Sequence, residues 1–243
     1  MDKISIITVT YNCADEIEKT ILSVLEQNYP AIEYIIIDGA STDGTVDIIK
    51  KYADKVAYWV SEPDKGLYFA MNKGIEQATG DWIYIHNAGN IFHDSHSLSN
   101  IFKRDLKGVD AVYGYIFSRV QGKYLRRPKP FYADPNPRTK RMGFSHQAIF
   151  VRTEWVKNYL FDTTKYRCCA DYNMMVKIYN AGAKFAYVDV AVCKSAPAGF
   201  SERNRKLQFR ETSQINGVYG TFWYYWHYNI MCVKRWLKEI KNK

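Results

Sequence analysis

The sequence predicts an α/β fold built on a mostly parallel central sheet flanked by helices. Three observations predict it. Short runs rich in Ile and Val alternate with longer runs of helical spacing over residues 4–86. Gly, Pro and Ser-Thr-Asp signals fall between them. The distinctive polar residues collect at the carboxyl ends of the apolar runs, where sheets of this kind bind ligands.

Ile4–Thr10 is an apolar, β-rich run, as a strand buried on both faces requires. Residues 14–27 have helical spacing: Ile17, Ile21, Val24 and Leu25 share one face, Asp15 and Glu16 favour the start, and 28–30 ends the helix. A second strand spans 33–38. Ser41, Thr42 and Asp43 form a turn and a candidate cap for a helix running to Tyr52. Residues 56–60 read as a third strand, 67–78 as a helix closed by Thr79 and Gly80, and 82–86 as a fourth strand. The alternation implies right-handed crossovers. Beyond it, 109–120 and 123–126 read as strands joined by a turn at 121–122. Residues 127–142 form a Pro, Lys and Arg-rich loop long enough to cover a ligand. A strand at 147–152, a helix at 170–181 ending on Gly182, a strand at 185–190 and a helix at 201–215 complete the chain.

With 243 residues, 47% hydrophobic, the chain can form one large domain with a well-buried core, set here at 1–200, followed by a helical extension at 201–243. Net charge is +9, which suits a phosphate-rich ligand or an anionic membrane surface. No nucleic-acid-binding motif occurs. The five cysteines, Cys13, Cys168, Cys169, Cys193 and Cys232, are odd in number and include no CxxC pair. That pattern fits thiols in a reducing cytoplasm. No secretory leader or clean membrane span is expected.

Tyr11 follows the first strand and can either stack on a nucleobase or close the strand's apolar end. Asp38 ends the second strand, where a carboxylate can accept hydrogen bonds from a ribose hydroxyl or a base N–H. A dinucleotide-binding fold uses a similar group, but no GxGxxG follows the first strand. Asp43 reads equally as a cap. Lys73, on the helix after the third strand, can offset diphosphate charge or simply face solvent. His86, Asn87 and Asn90 follow the fourth strand. The histidines form no HxxH or HxxxH pair, which argues against a His-based metal site.

ISIITVTYN, YIIIDGASTDGT, SEPDKGLYFAMNKGI and GDWIYIHNAGNIF together resemble the nucleotide-sugar-binding half of family 2 glycosyltransferases of the GT-A fold. The likeness is greatest to bacterial enzymes of exopolysaccharide and O-antigen assembly, including the colanic-acid type. It is dense over 4–92 and thinner to about Phe200. The resemblance implies that Tyr11 and Asp38 hold the nucleoside, that Lys73 lies near the diphosphate, and that His86–Asn90 stands in for an Asp-x-Asp metal element. Two positions depart from the pattern. Phe69 replaces an Asp, and Asn90 replaces the carboxylate that holds Mn²⁺ or Mg²⁺. An Asn oxygen ligates but brings no charge, so metal affinity should fall unless the donor's phosphates supply most of the coordination. Lys73 and the basic loop are the alternative source of charge stabilisation.

Asp171 begins the helix at 170–181. It is either a first-turn residue suited to the helix dipole or, as the resemblance implies, the base of an inverting transfer. Apolar Tyr and Met neighbours would raise its pKa toward a useful value. Asn173 stands where the family has a second Asp. His146 and Gln147 resemble the family's H-Q pair, with contacts to donor or acceptor hydroxyls; a structural His is the other reading.

The extension carries Phe222, Trp223, Tyr224, Tyr225, Trp226 and Tyr228, then Lys234, Arg235, Lys238, Lys241 and Lys243. Aromatics beside cations suit an anionic membrane interface on the inner face of the cytoplasmic membrane, or packing on the domain or a partner. Asn216, Gly217, Gly220 and Asn229 argue against a spanning helix. The expected function is sugar transfer from a nucleotide-diphosphate sugar, UDP-linked, to a hydroxyl of a growing, lipid-linked glycan. The alternative is a non-catalytic nucleotide-sugar-binding or scaffold subunit.

Overall fold

The computed structural model describes residues 1–120, 123–127, 145–196, 203–222, 224–226 and 228–230. The expected turn at 121–122, nearly all of the basic loop at 127–142, Cys232 and the terminal basic residues lie outside them.

The strands are β1 (Ile4–Thr10), β2 (Ile32–Asp38), β3 (Tyr58–Ser61), β4 (Trp82–Ile85), β5 (Ile91–Phe92), β6 (Ala111–Val120), β7 (Lys123–Arg127), β8 (Ile149–Arg152) and β9 (Phe185–Ser195). The helices are α1 (Ala14–Leu25), α2 (Thr45–Lys51), α3 (Leu67–Gln77), α4 (Ser97–Phe102), α5 (Thr153–Asn158), α6 (Ala170–Asn180) and α7 (Arg205–Ile215). Among the described residues the sheet runs β3-β2-β1-β4-β8-β6-β9-β5, with β7 paired to β6. β1 to β4 pair in parallel, as the alternation requires. From β8 onward the sheet is mixed: β8 is antiparallel to both β4 and β6, and β6 is parallel to β9. Residues 153–184 carry the chain from β8 to β9, which flank β6 and run in opposite directions.

Alternation along each strand feeds two cores. Ile4 and Ile6 face one side with Ile36, Trp82 and Tyr84, where Ile17, Ile21 and Val24 of α1 cover them. Ile7 and Val9 face the other with Ile35, Ile37 and Ile83, under α3, α5 and α6. Gly74 lets α3 approach β1, because a Cβ there would run into the Ile7 side chain.

Several expected boundaries move. The third strand starts at Tyr58 because Ala53–Lys55 forms a 3-10 turn. β9 extends to Ser195, past a register shift opposite Tyr113 to Tyr115. Gln147 lies not in a strand but in the 3-10 turn His146–Ala148, capped by the Ser145 hydroxyl. α4, α5 and β5 are too short to leave a periodic signature. Among the described residues no helix is long and apolar enough to cross a membrane.

Candidate active site

The rim at the carboxyl ends of β1 to β4 is built by short loops. After β1, Asn12 adopts a left-handed backbone (φ 47°), and its side-chain oxygen accepts from the Thr42 N–H at 2.9 Å. This lashes the β1–α1 loop to the β2–α2 loop and leaves Tyr11 66% exposed beside Gly39. Asp38 is fully buried. Its carboxylate accepts from the Ser41 N–H (2.9 Å), the Ser41 hydroxyl (2.5 Å) and the Ser61 hydroxyl (2.6 Å), so it ties the end of β2 to β3. Asp43 is committed to structure: it accepts from Ala14 N at 2.9 Å, at the start of α1, and from the Thr45 hydroxyl at 2.6 Å.

Lys73 reaches Asp64 at 2.6 Å and Glu62 at 2.7 Å. These carboxylates hold its pKa above the ordinary lysine value. One cation facing two anions leaves a local balance of −1, so Lys73 is not a spare positive charge in this state. Stabilising a diphosphate would require it to exchange partners.

His86 departs from the expected ligand contact. Its side chain is fully buried and stacks on Phe92, ring centroids 4.6 Å apart. Burial drives its pKa down to about 3, so it is neutral. Its Nδ1 lies 3.2 Å from the Tyr84 hydroxyl, which donates to the Gln147 carbonyl at 2.8 Å. His86 therefore supports the His146–Gln147 turn through Nδ1, while its buried Nε2 has no protein partner.

Asn90 is also buried, and its side-chain oxygen accepts from the Ala196 N–H at 3.0 Å. Several buried polar atoms at this rim have no protein partner: Thr10 Oγ1, His86 Nε2, Asn87 Oδ1 and Asn90 Nδ2. The Asp64 oxygens are likewise buried, with only the Lys73 ion pair. The residues at 86–90 do not fit a protein-held Mg²⁺ or Mn²⁺. They supply no carboxylate, the Asn90 oxygen is engaged, and its unpartnered atom is a donor. Among the described residues no three His, Cys, Asp or Glu side chains gather as a metal site.

The second half brings Asp171 and His146 together. His146 Nδ1 lies 2.8 Å from Asp171 Oδ2. Tyr68, in the first turn of α3, places its hydroxyl 3.0 Å from Asp171 Oδ1 and 2.9 Å from the Cys168 carbonyl. The side chains of Asp171 and His146 are 15% and 33% exposed. The Asp171 pKa moves opposite to expectation. Burial alone would raise it, but His146, the Tyr172 N–H and the Tyr68 hydroxyl together hold it below the ordinary Asp value. For His146, burial is outweighed by Asp171, and the imidazole pKa is raised.

Tyr68 is a partner of Asp171 that the sequence does not single out, because nothing in its spacing links α3 to α6. The same holds for Glu211 of α7. The buried Glu211 carboxylate accepts from the N–H groups of Arg167 (3.0 Å), Cys168 (2.9 Å) and Cys169 (2.9 Å), which fixes the segment leading into Asp171. No periodicity marks such a contact across 40-odd residues. Gln147 is placed by its backbone, and its carbonyl also accepts from the Cys193 thiol at 3.2 Å.

Residues 5–164 match the family model described as glycosyl transferase family 2. An uncharacterized glycosyltransferase of Mycobacterium tuberculosis is 36% identical over 132 residues, 53% of this chain, and the match spans half the length of that relative. A PGL/p-HBAD biosynthesis glycosyltransferase from the same species is 28% identical over 98% of this chain and 92% of its own length. Among solved structures, S. aureus TarS in complex with UDP superposes with a TM-score of 0.68 at 21% identity, over 88% of this chain and 65% of that one. The mannosyltransferase PcManGT of Pyrobaculum calidifontis, in complex with GDP-Man and Mn²⁺, superposes with a TM-score of 0.65 at 23% identity, over 88% and 63%. At these identities the two structures establish a shared GT-A fold.

Proposed function

The chain belongs to glycosyl transferase family 2, and from that premise we propose that it transfers a hexosyl unit, with inversion, from a nucleotide-diphosphate sugar to a hydroxyl of a growing bacterial surface glycan. The observation that carries this reading is the set of buried, unpartnered polar atoms (Thr10 Oγ1, His86 Nε2, Asn87 Oδ1, Asn90 Nδ2) at and just beyond the carboxyl ends of β1 and β4, where parallel sheets bind ligands. Buried polar groups are ordinarily hydrogen-bonded, so such a cluster suits a polar ligand.

In this reading Tyr11 stacks on the base, an assignment supported by its exposure. Asp38 shapes the nucleoside pocket through Ser41 and Ser61. Asn87 and Asn90 face the diphosphate, with Lys73 reached by partner exchange. UDP is the favoured nucleotide, supported by the TarS complex. The Asp171–His146 pair takes the acceptor proton while the nucleotide departs from the opposite face of the sugar, and Gln147 contacts a sugar hydroxyl. Divalent cations aid diphosphate departure as Lewis acids wherever a site holds one. Here any such ion would rest on the donor's own phosphates, with Asn90 offering at most one neutral oxygen.

The acceptor is proposed to be lipid-linked. Phe222, Tyr225 and Trp226 on the extension are 72%, 58% and 54% exposed, an aromatic surface suited to a membrane interface. A non-catalytic donor-binding subunit is the competing reading, favoured by Phe69 and Asn90. Turnover separates the two.

Calorimetric titration with UDP and GDP, each with and without Mn²⁺, tests the donor site. The expected result is UDP binding whose affinity changes less than about threefold with Mn²⁺, within about 0.7 kcal/mol. Absence of heat from both nucleotides would remove the assigned donor site, and binding strictly dependent on Mn²⁺ would overturn the assignment at Asn90.

A further inference from the structure

Both oxygens of the Asp171 carboxylate are engaged. Oδ2 faces His146 Nδ1 at 2.8 Å, and Oδ1 faces the Tyr68 hydroxyl at 3.0 Å. An ionised carboxylate only accepts hydrogen bonds, so Nδ1 must carry the proton in this contact. The neutral imidazole then has its free lone pair on Nε2. His146 is also the more open member of the pair, 33% against 15% exposed. The 3-10 turn that carries it is held by the Ser145 hydroxyl, by Tyr84 and by Cys193, so its backbone is fixed from three sides.

We infer that within the Asp171–His146 pair the acceptor's proton is received by His146 Nε2, while Asp171 positions and charge-stabilises the imidazole. This rests on the transferase reading above and specifies its proton acceptor. In the step, the acceptor oxygen's electron pair forms the new bond to the anomeric carbon. The bond from that carbon to the diphosphate oxygen breaks, and its pair leaves with the nucleotide. The hydroxyl proton passes to Nε2, giving an imidazolium paired with the Asp171 carboxylate, and is then released to solvent. The arrangement follows the logic of other His–Asp pairs, in which the carboxylate fixes the tautomer and the far nitrogen does the proton transfer.

Among the described residues, the groups facing the pair come from α3, from the segment ahead of α6 and from α7. Asp171 raises the affinity of His146 for a proton. Tyr68, from α3, remains protonated, pushed far above the ordinary phenol value by burial and by Asp171. Cys168 and Cys169, which precede α6, lie close enough to Asp171 to feel its charge, and Glu211 stands behind them on their backbone N–H groups. An imidazole is the side chain whose ordinary pKa lies nearest neutral pH, and Asp171 shifts this one in favour of taking up a proton, whereas the Asp171 carboxylate is held below its ordinary value.

Two measurements decide the inference. In histidine ¹⁵N spectra of the full chain, with His146→Gln used for assignment, neutral His146 is expected as the Nδ1–H tautomer. Its pKa should lie above 6.5 and fall in Asp171→Asn. A neutral Nε2–H tautomer would overturn the proposal whether or not a substrate is known. The second measurement is nucleotide release from UDP-GlcNAc, UDP-glucose and GDP-mannose as a function of pH. The rate should rise with pH through the His146 pKa. His146→Gln should lower it by about 10²-fold or more and abolish that limb, with UDP affinity changed less than threefold. A profile flat from pH 5.5 to 8.5, or a His146→Gln enzyme within threefold of the parent rate, would contradict it. If the unaltered chain turns over no donor, the transferase reading itself fails, and the tautomer result still reports where the proton sits.

Discussion

His86 sits neutral in the core because burial outweighs every compensating contact and brings its pKa to about 3. The unfolded chain takes up a proton near pH 6.5 that the folded chain refuses until about pH 3. Stability contributed by neutral His86 is therefore complete above about pH 6.5 and is lost as pH falls toward 3, by at most about 1.4 kcal/mol per pH unit. His146 has the opposite sign: its raised pKa adds stability below pH 6.5, which is lost as pH rises through the folded value. Chemical denaturation at pH 7.5 and pH 5 should show a smaller acid loss for His86→Phe than for the parent. An equal loss would mean that His86 is not held neutral. At this scale the sequence was legible in position: Asp171 lies in the first turn of α6, where helical spacing puts it. It was not legible where burial reverses a residue's expected behaviour, as for His86, or where a neighbour distant in sequence resets a pKa, as His146 does for Asp171.

α7 shows how an element can act on the site without touching it. Glu211 grips three consecutive backbone N–H groups just ahead of α6, and the Tyr172 hydroxyl donates to Asn216 at 2.7 Å. The carboxylate satisfies donors next to a helix start and places a negative charge where the helix dipole favours it. Glu211→Gln keeps one acceptor oxygen but loses the charge, at an expected cost of about 1–3 kcal/mol in stability. It should also weaken turnover, because Asp171 lies two residues beyond the gripped segment. A melting temperature and rate both unchanged would show that the grip is incidental. The long elements were readable from period alone: β1, α1, β2, α3 and α6 lie where alternation and helical spacing put them. α4, α5 and β5 were not, since one or two turns carry no periodic signal. The mixed pairing around β8 was hidden for a different reason: strand direction depends on which distant partner a strand meets.

For the whole molecule, the first half offers the rim proposed to hold the donor and the second offers the Asp171–His146 pair, with Tyr68 of α3 reaching across to the pair. The exposed aromatics of the extension, Phe222, Tyr225 and Trp226, are the surface on which the proposed membrane contact rests. Co-sedimentation with anionic vesicles should exceed that with neutral vesicles and fall for Phe222→Ala combined with Trp226→Ala, while UDP affinity stays constant. Equal sedimentation of parent and variant would move that face to another role. The central claim is that this body transfers sugar from a nucleotide-linked donor through the Asp171–His146 pair. The most direct test is the rate at which purified chain and its Asp171→Asn variant release nucleotide from UDP-GlcNAc, UDP-glucose or GDP-mannose. Release from one of these donors is expected, slowed about 10²-fold or more in the variant. Release from none of them, or release at the same rate by Asp171→Asn, would contradict it.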